Sequence, residues 1–176
     1  MDGGKKNLLD FLGQNQQLSI PIYQRKYSWT DKECNQLFED VVQVGNSSDE
    51  QNHFIGSIVY MNQKGHIASP INKLMIIDGQ QRITTISLFV SALSDYLFKN
   101  PNENIMNPYN LINYFLINDK ETGELKYKLI LTDDDRVTLK KIIDNLNAED
   151  KIPFDEDDSI RVKENYEYFK RRINDD

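Results

Sequence analysis

Apolar positions along the chain fall into two alternating patterns, short continuous runs and a three-to-four spacing. Leu8, Leu9 and Leu12 predict a short helix within residues 6–14, closed by Gly13. Leu18 to Ile22 reads as extended, with Pro21 marking an edge or a strand start. Thr30-Asp31-Lys32-Glu33 is a capping box, and Cys34, Leu37, Phe38 and Val41 follow on one helical face until Gly45. His53 to Met61 predicts a strand, with β-branched Ile58 and Val59 and with Gly56 permitting close backbone approach. Asn62-Gln63-Lys64-Gly65 has turn composition and returns the chain through Ile67 to a buried strand, Leu74–Ile77. Asp78-Gly79 is a tight-turn dipeptide, and Ile83, Ile86, Val90, Leu93 and Leu97 predict an amphipathic helix directly after it.

The Asn- and Pro-rich stretch 100–108 breaks that helix. Beyond it, the pattern predicts a short helix over Tyr109–Ile117, a turn at Asp119–Gly123 and a strand over Leu125–Leu131. A helix follows over Asp133–Leu146, with Leu139, Ile142, Ile143 and Leu146 on one face. After an acidic loop, 147–158, a last helix starts near Ser159 and buries Val162, Tyr166, Phe169 and Ile173. Its aromatic stripe needs a partner surface, which the sequence reading assigns to residues beyond the chain. The order of elements argues for an α+β, or mixed α/β, fold with a small mixed sheet flanked by helices.

Composition narrows the picture. A chain of 176 residues is long enough for one proper core with a helical appendage. No apolar run approaches the roughly 20 residues a spanning helix needs, and the N-terminus lacks a signal-peptide pattern, so the expectation is a soluble, cytoplasmic protein without membrane contact. The single Cys34 excludes an internal disulfide, and with only two histidines a structural zinc site is disfavoured. A formal charge of -7 removes the basic footprint of a sequence-independent DNA binder.

Two stretches carry candidate chemistry. At Asp78-Gly79-Gln80-Gln81-Arg82, a strand, a glycine turn and a helix start come together. Asp78 is a good N-cap, and Gln81 can reach back to complete a capping box. Free backbone N–H groups, two amides and Arg82 there suit an anion, although most such junctions bind nothing. The second stretch is Tyr23-Gln24-Arg25-Lys26-Tyr27-Ser28-Trp29. Arg25 can grip phosphate as a bidentate fork or sit in a structural ion pair, and the aromatics offer stacking faces, with Tyr27 and Trp29 favoured as core. No Gly-x-x-x-x-Gly-Lys-Ser/Thr loop, dinucleotide fingerprint or nucleophile elbow is present. His53 and His66 read as structural or surface residues, and the acidic runs 133–135 and 155–158 read as solvated caps.

Ile22-Tyr23-Gln24-Arg25-Lys26-Tyr27-Ser28-Trp29, then Phe54-Ile55-Gly56-Ser57-Ile58, then Ile77-Asp78-Gly79-Gln80-Gln81-Arg82-Ile83-Thr84-Thr85 resembles the N-terminal domain of the GmrSD-type restriction endonucleases. Asn165-Tyr166-Glu167-Tyr168-Phe169 is a later, weaker element of the same resemblance. It implies a ParB/sulfiredoxin-like core over 1–99 that binds nucleotides without a P-loop, and a mainly helical extension over 100–176. It also implies binding and hydrolysis of a nucleoside triphosphate, GTP foremost, with Mg²⁺, in defence against foreign or modified DNA. The expected partner is a nuclease domain or subunit of His-Asn-His type, with DNA met through the full assembly and a homodimer as a further expectation. By motif, Asp78, Gln80, Gln81 and Arg82 form the catalytic set, and Tyr23, Gln24, Arg25, Gly79, Arg82 and Thr84 the nucleotide-binding set. Arg82 and Arg25 would neutralise phosphate, Gln80 or Gln81 would orient water, and Asp78 would be either a Mg²⁺ contact or the helix cap. The alternative is a non-catalytic module that senses DNA or couples to a separate nuclease.

Overall fold

The structure, a computed structural model, describes residues 7–46, 56–63, 71–101 and 106–175. A four-stranded mixed sheet is built from β1 (Gln16–Ser19), β2 (Val59–Asn62), β3 (Asn72–Asp78) and β4 (Leu129–Ile130), in the order β2-β3-β1-β4. β1 runs parallel to both neighbours, Leu18 opposing Leu74 on one side and Leu129 on the other. β2 lies antiparallel to β3, with an irregularity between Val59 and Tyr60. Helices α1 (Leu8–Leu12), α2 (Asp31–Asn46), α3 (Gln80–Lys99), α4 (Pro108–Leu111), α5 (Asp133–Asp144) and α6 (Ile160–Asp175) complete the fold. No helix among the described residues is long and apolar enough to cross a membrane.

The mixed α/β architecture agrees with the periodicity, and the differences have local causes. The proline at 21 does not mark an edge, because β1 is an interior strand that has already ended at Ser19. Strand β2 is shorter than His53–Met61: 53–55 lie outside the described residues, and Gly56 (φ 99°) precedes irregular backbone. Gly65 and Ile67 of the expected turn and return, together with His66, also lie outside the described residues. The stretch Leu125–Leu131 gives only β4, since a 3₁₀ turn takes Gly123–Lys126. The short helix after the break changes into a π turn over Ile112–Leu116. Val41 points outward at 43 % exposure, so the buried face of α2 is Cys34, Leu37 and Phe38.

Helix α3 is central rather than amphipathic. Ile83, Ile86, Val90 and Leu97 are buried as the spacing predicts, but Thr84, Thr85, Ser87, Ser91 and Ser94 are buried too. A buried hydroxyl needs a partner. Each of these five bonds the carbonyl four residues back, so the polar face enters the core satisfied. Helix α6 packs on α3 and α2, which supply the surface that its aromatic stripe requires. Phe169 is fully buried and meets Phe89 of α3 edge-on at 5.5 Å, while Arg172 lies 4.7 Å over the Phe38 ring and pairs with Glu39 at 2.7 Å. The sheet and helical layer thus draw described residues from both stretches, 1–99 and 100–176, through β4 and α6.

The acidic loop is not wholly solvated. Asp158 is buried and held by Lys141 at 2.9 Å and by the Thr138 hydroxyl at 3.0 Å. At the other end of the sheet, Lys128 is buried and donates to Leu12 O and Gln14 O, tying α1 to β4. Burial pushes its ammonium down to about 8 from 10.5. Below that value the folded state carries a buried charge. Above it the amine is neutral in the fold while the unfolded chain still binds the proton, so stability rises as pH climbs from about 8 towards 10. Urea titrations between about pH 8 and 9 should show the rise in the wild type and not in Lys128→Met; above about 9 the Cys34 thiol, which burial raises to about 11 in the fold, lowers stability in both proteins.

Candidate functional site

The site grows from the first turn of α3. Gly79, not Asp78, is its N-cap residue, in the left-handed region at φ 92°, and no side chain caps the helix. A Cβ at 79 would lie 3.0 Å from Ser57 O and 3.1 Å from the Ile58 side chain, so glycine is required by backbone angle and space together. The left-handed residue turns the chain before the helix begins, which leaves Asp78 exposed at the end of β3. The capping box with Gln81 does not form.

Gln80 and Gln81 instead reach across to the segment 24–29, a strap with no strand partner whose backbone needs hydrogen bonds from side chains. Gln80 Nε2 donates to Arg25 O and Gln81 Nε2 to Lys26 O, both at 3.2 Å. Gln81 Oε1 accepts from the Ser28 amide at 2.8 Å, and Gln24 Nε2 donates to Ile77 O at 3.0 Å. The two amides expected to serve a ligand are therefore buried and largely committed to the fold. From the other side, Asp135 of α5 accepts from the Tyr27 amide at 2.7 Å and Lys26 pairs with Asp134 at 2.8 Å. That hydrogen bond, with the accompanying charge, holds the Lys26 ammonium above and the Asp134 carboxyl below their ordinary values.

Successive residues on a helix turn by about 100°, and this phase divides the motif. Gln80 and Thr84 face a narrow cleft with about 10 Å³ of enclosed space, also lined by Arg25, Tyr27, Thr132 and Asp135. Gln81 also touches that cleft from the strap side. Arg82 is rotated away: its Nη1 donates to Ser57 O at 2.8 Å, and its guanidinium lies so close over Gly56 that a Cβ there would come within 2.6 Å. The cleft lining thus brings together Arg25, Gln80, Gln81 and Thr84, while Arg82 and Asp78 stand outside it. Among the described residues neither guanidinium has a carboxylate partner, so the structural ion pair open to Arg25 is not formed there.

The aromatics separate in the same way. Tyr27 is buried and Trp29 packs against the core, whereas Tyr23 is 73 % exposed beside the fully presented Ile22. Burial drives the Tyr27 hydroxyl far above its ordinary pKa, so it stays protonated. Burial also raises the Cys34 thiol to about 11, which leaves it inert. One atom in the cleft wall is conspicuous: Gln80 Oε1 is buried and has no hydrogen-bond partner. Among the described residues no group of three or more His, Cys, Asp or Glu is placed to hold a metal ion. Asp135, Thr85 and Asn165, which fasten the strap, had no role assigned from sequence, although Thr85 and Asn165 lie in the stretches that carry the family resemblance, because their partners are strap groups far away along the chain.

The family model described as GmrSD restriction endonuclease, N-terminal domain, matches residues 8–175. Among curated proteins, none matches the chain significantly.

Proposed function

The chain belongs to the GmrSD restriction endonuclease N-terminal domain family, and from that premise we propose that it is the nucleoside-triphosphate-responsive domain of such a restriction system, with GTP the first candidate. The observation that carries this reading is the pairing, in one cleft, of an arginine and a buried amide oxygen that have, among the described residues, no carboxylate partner and no donor respectively. Arg25 supplies positive charge for phosphate oxygens. Gln80 Oε1 is an acceptor suited to orienting a water molecule for attack, which leaves Gln81 as the residue that shapes the strap.

The enclosed space of the cleft, about 10 Å³, is that of a single water molecule, so a phosphate would meet Arg25 at the cleft mouth while the water sits beside Gln80. Base and sugar would lie outside it, where the exposed Tyr23 ring offers a stacking face. Asp135 in the cleft wall and Asp78 nearby in sequence would repel a polyphosphate without a divalent cation. Mg²⁺ commonly uses one or two carboxylates and takes its other ligands from phosphate and water, and Asp78, free of a capping role, is the carboxylate assigned to it. The ion would supply charge neutralisation to the phosphates. Arg82, with four N–H groups uncommitted among the described contacts, lies outside the cleft on the Gly56–Ser57 side and would meet only phosphate that extends beyond the cleft mouth. DNA cleavage falls to a nuclease domain or subunit of His-Asn-His type.

Thermal unfolding with Mg²⁺ and GTP, ATP or CTP tests the reading, alongside phosphate release. At about a hundredfold excess over Kd, binding stabilises by about 2.7 kcal/mol, a rise in Tm of roughly 5–10 °C for a chain of this size. Arg25→Ala should abolish the rise. Gln80→Leu should keep it and lower phosphate release by about tenfold or more. Absence of any shift with all three nucleotides would remove the proposal.

A further inference from the structure

The strap that carries Arg25 is fastened not only from α3 but also from α6. Asn165 is fully buried, and its Nδ2 donates to the Tyr27 hydroxyl and to Trp29 O, both at 2.8 Å. The carbonyl of Trp29 can only accept, so the amide orientation is settled by that bond. The Tyr27 hydroxyl, already accepting from Asn165, donates to Thr85 Oγ1 at 2.6 Å, and Thr85 donates to Gln81 O at 2.8 Å. A hydrogen-bond chain of one direction therefore runs from α6, through the strap, to the first turn of α3. Gln81 closes it into a ring by gripping Lys26 O and the Ser28 amide. Such chains polarise one another and resist piecemeal loss.

Asn165 holds this place at a cost, because its Oδ1 is buried without a partner. An apolar side chain would avoid the penalty, so the contribution of this residue lies in its two donor bonds. We infer that Asn165 is a positioning residue: it sets the strap 24–29 from α6, places Arg25 over the cleft, and so couples the C-terminal helix to whatever occupies the cleft. The coupling to nucleotide rests on the reading proposed above; the placement of the strap does not.

Two measurements separate those parts. Hydrogen–deuterium exchange of the Tyr27 and Ser28 amides, normalised to the slowest amides of α3, reports the strap directly. Exchange should quicken about tenfold in Asn165→Ala and not in Val162→Ala, a control on the same helix that is equally buried and has no bond to the strap. Tyr27→Phe keeps the ring and removes the hydroxyl, and it should shift exchange in the same direction if Asn165→Ala fails to fold. Calorimetry with Mg²⁺ and GTP or ATP then reads the cleft. Affinity should fall about five- to tenfold in Asn165→Ala and Tyr27→Phe, and stay within about twofold in Val162→Ala. Unchanged normalised exchange in both test variants overturns the inference. Quickened exchange with unchanged nucleotide affinity removes the coupling alone. A wild type that binds no nucleotide overturns the nucleotide reading, and the exchange result still decides the role of Asn165.

Discussion

Phe169→Ala is expected to lower the unfolding free energy by about 3–5 kcal/mol. Its ring is fully buried where α6 meets α3, edge-on to Phe89 at 5.5 Å, and Phe89 in turn stands 6.1 Å from Phe38 of α2. Removing it deletes the ring that packs α6 on Phe89 of α3, beside the Phe89–Phe38 contact with α2, and helices fixed by several contacts cannot close fully on the void. Urea unfolding would show a lower midpoint with an unchanged slope. Ile160→Ala, at the exposed start of the same helix, should change the midpoint little. A loss below about 1 kcal/mol for Phe169→Ala would mean that the stripe is not packed within this chain, contrary to the arrangement of α6 on α3.

Gln81→Leu and Gln80→Leu should part company, although the residues are adjacent, identical and almost equally buried. Gln81 satisfies a strap amide and a strap carbonyl. Its loss leaves both part-buried groups short of a partner that water replaces only in part, at about 1 kcal/mol for each. Gln80 makes one side-chain bond of 3.2 Å, and its oxygen already lacks a partner. Replacing it removes an existing penalty along with that bond, so the net change in stability should stay within about 1 kcal/mol. Unfolding curves for the two variants test the contrast. Equal, large losses would show that Gln80 is also structural and would weaken its proposed part in hydrolysis.

Much of the architecture was legible because hydrophobic period reports element type. Ile83, Ile86, Val90 and Leu97 of α3, Leu139, Ile142 and Ile143 of α5, and Val162, Tyr166 and Phe169 of α6 are all buried as their spacing required. Glu33 reaches back to the Thr30 amide at 2.8 Å, as the capping box predicts. The motif at 78–82 failed in a consistent way. Asp78 and Gln81 have the chemistry of a cap and its return, but a left-handed Gly79 displaces the cap by one residue, and the strap competes for Gln81. Arg25 and Arg82 read as partners from their composition. Helical phase instead carries Arg82 to the Gly56–Ser57 flank while Arg25 lines the cleft.

By itself the sequence determined which segments become helix or strand, which faces are apolar, and the family, through Tyr-Gln-Arg and Asp-Gly-Gln-Gln-Arg at their spacing. These are local properties, written in periods of a few residues. Only the tertiary structure decided that α6 closes on α3, that Asp135 and Asn165 hold the strap, and that Gln80 keeps an oxygen free while Gln81 does not. Those outcomes depend on which distant backbone groups lack partners once the chain is packed, and burial sets that demand only after the fold has formed.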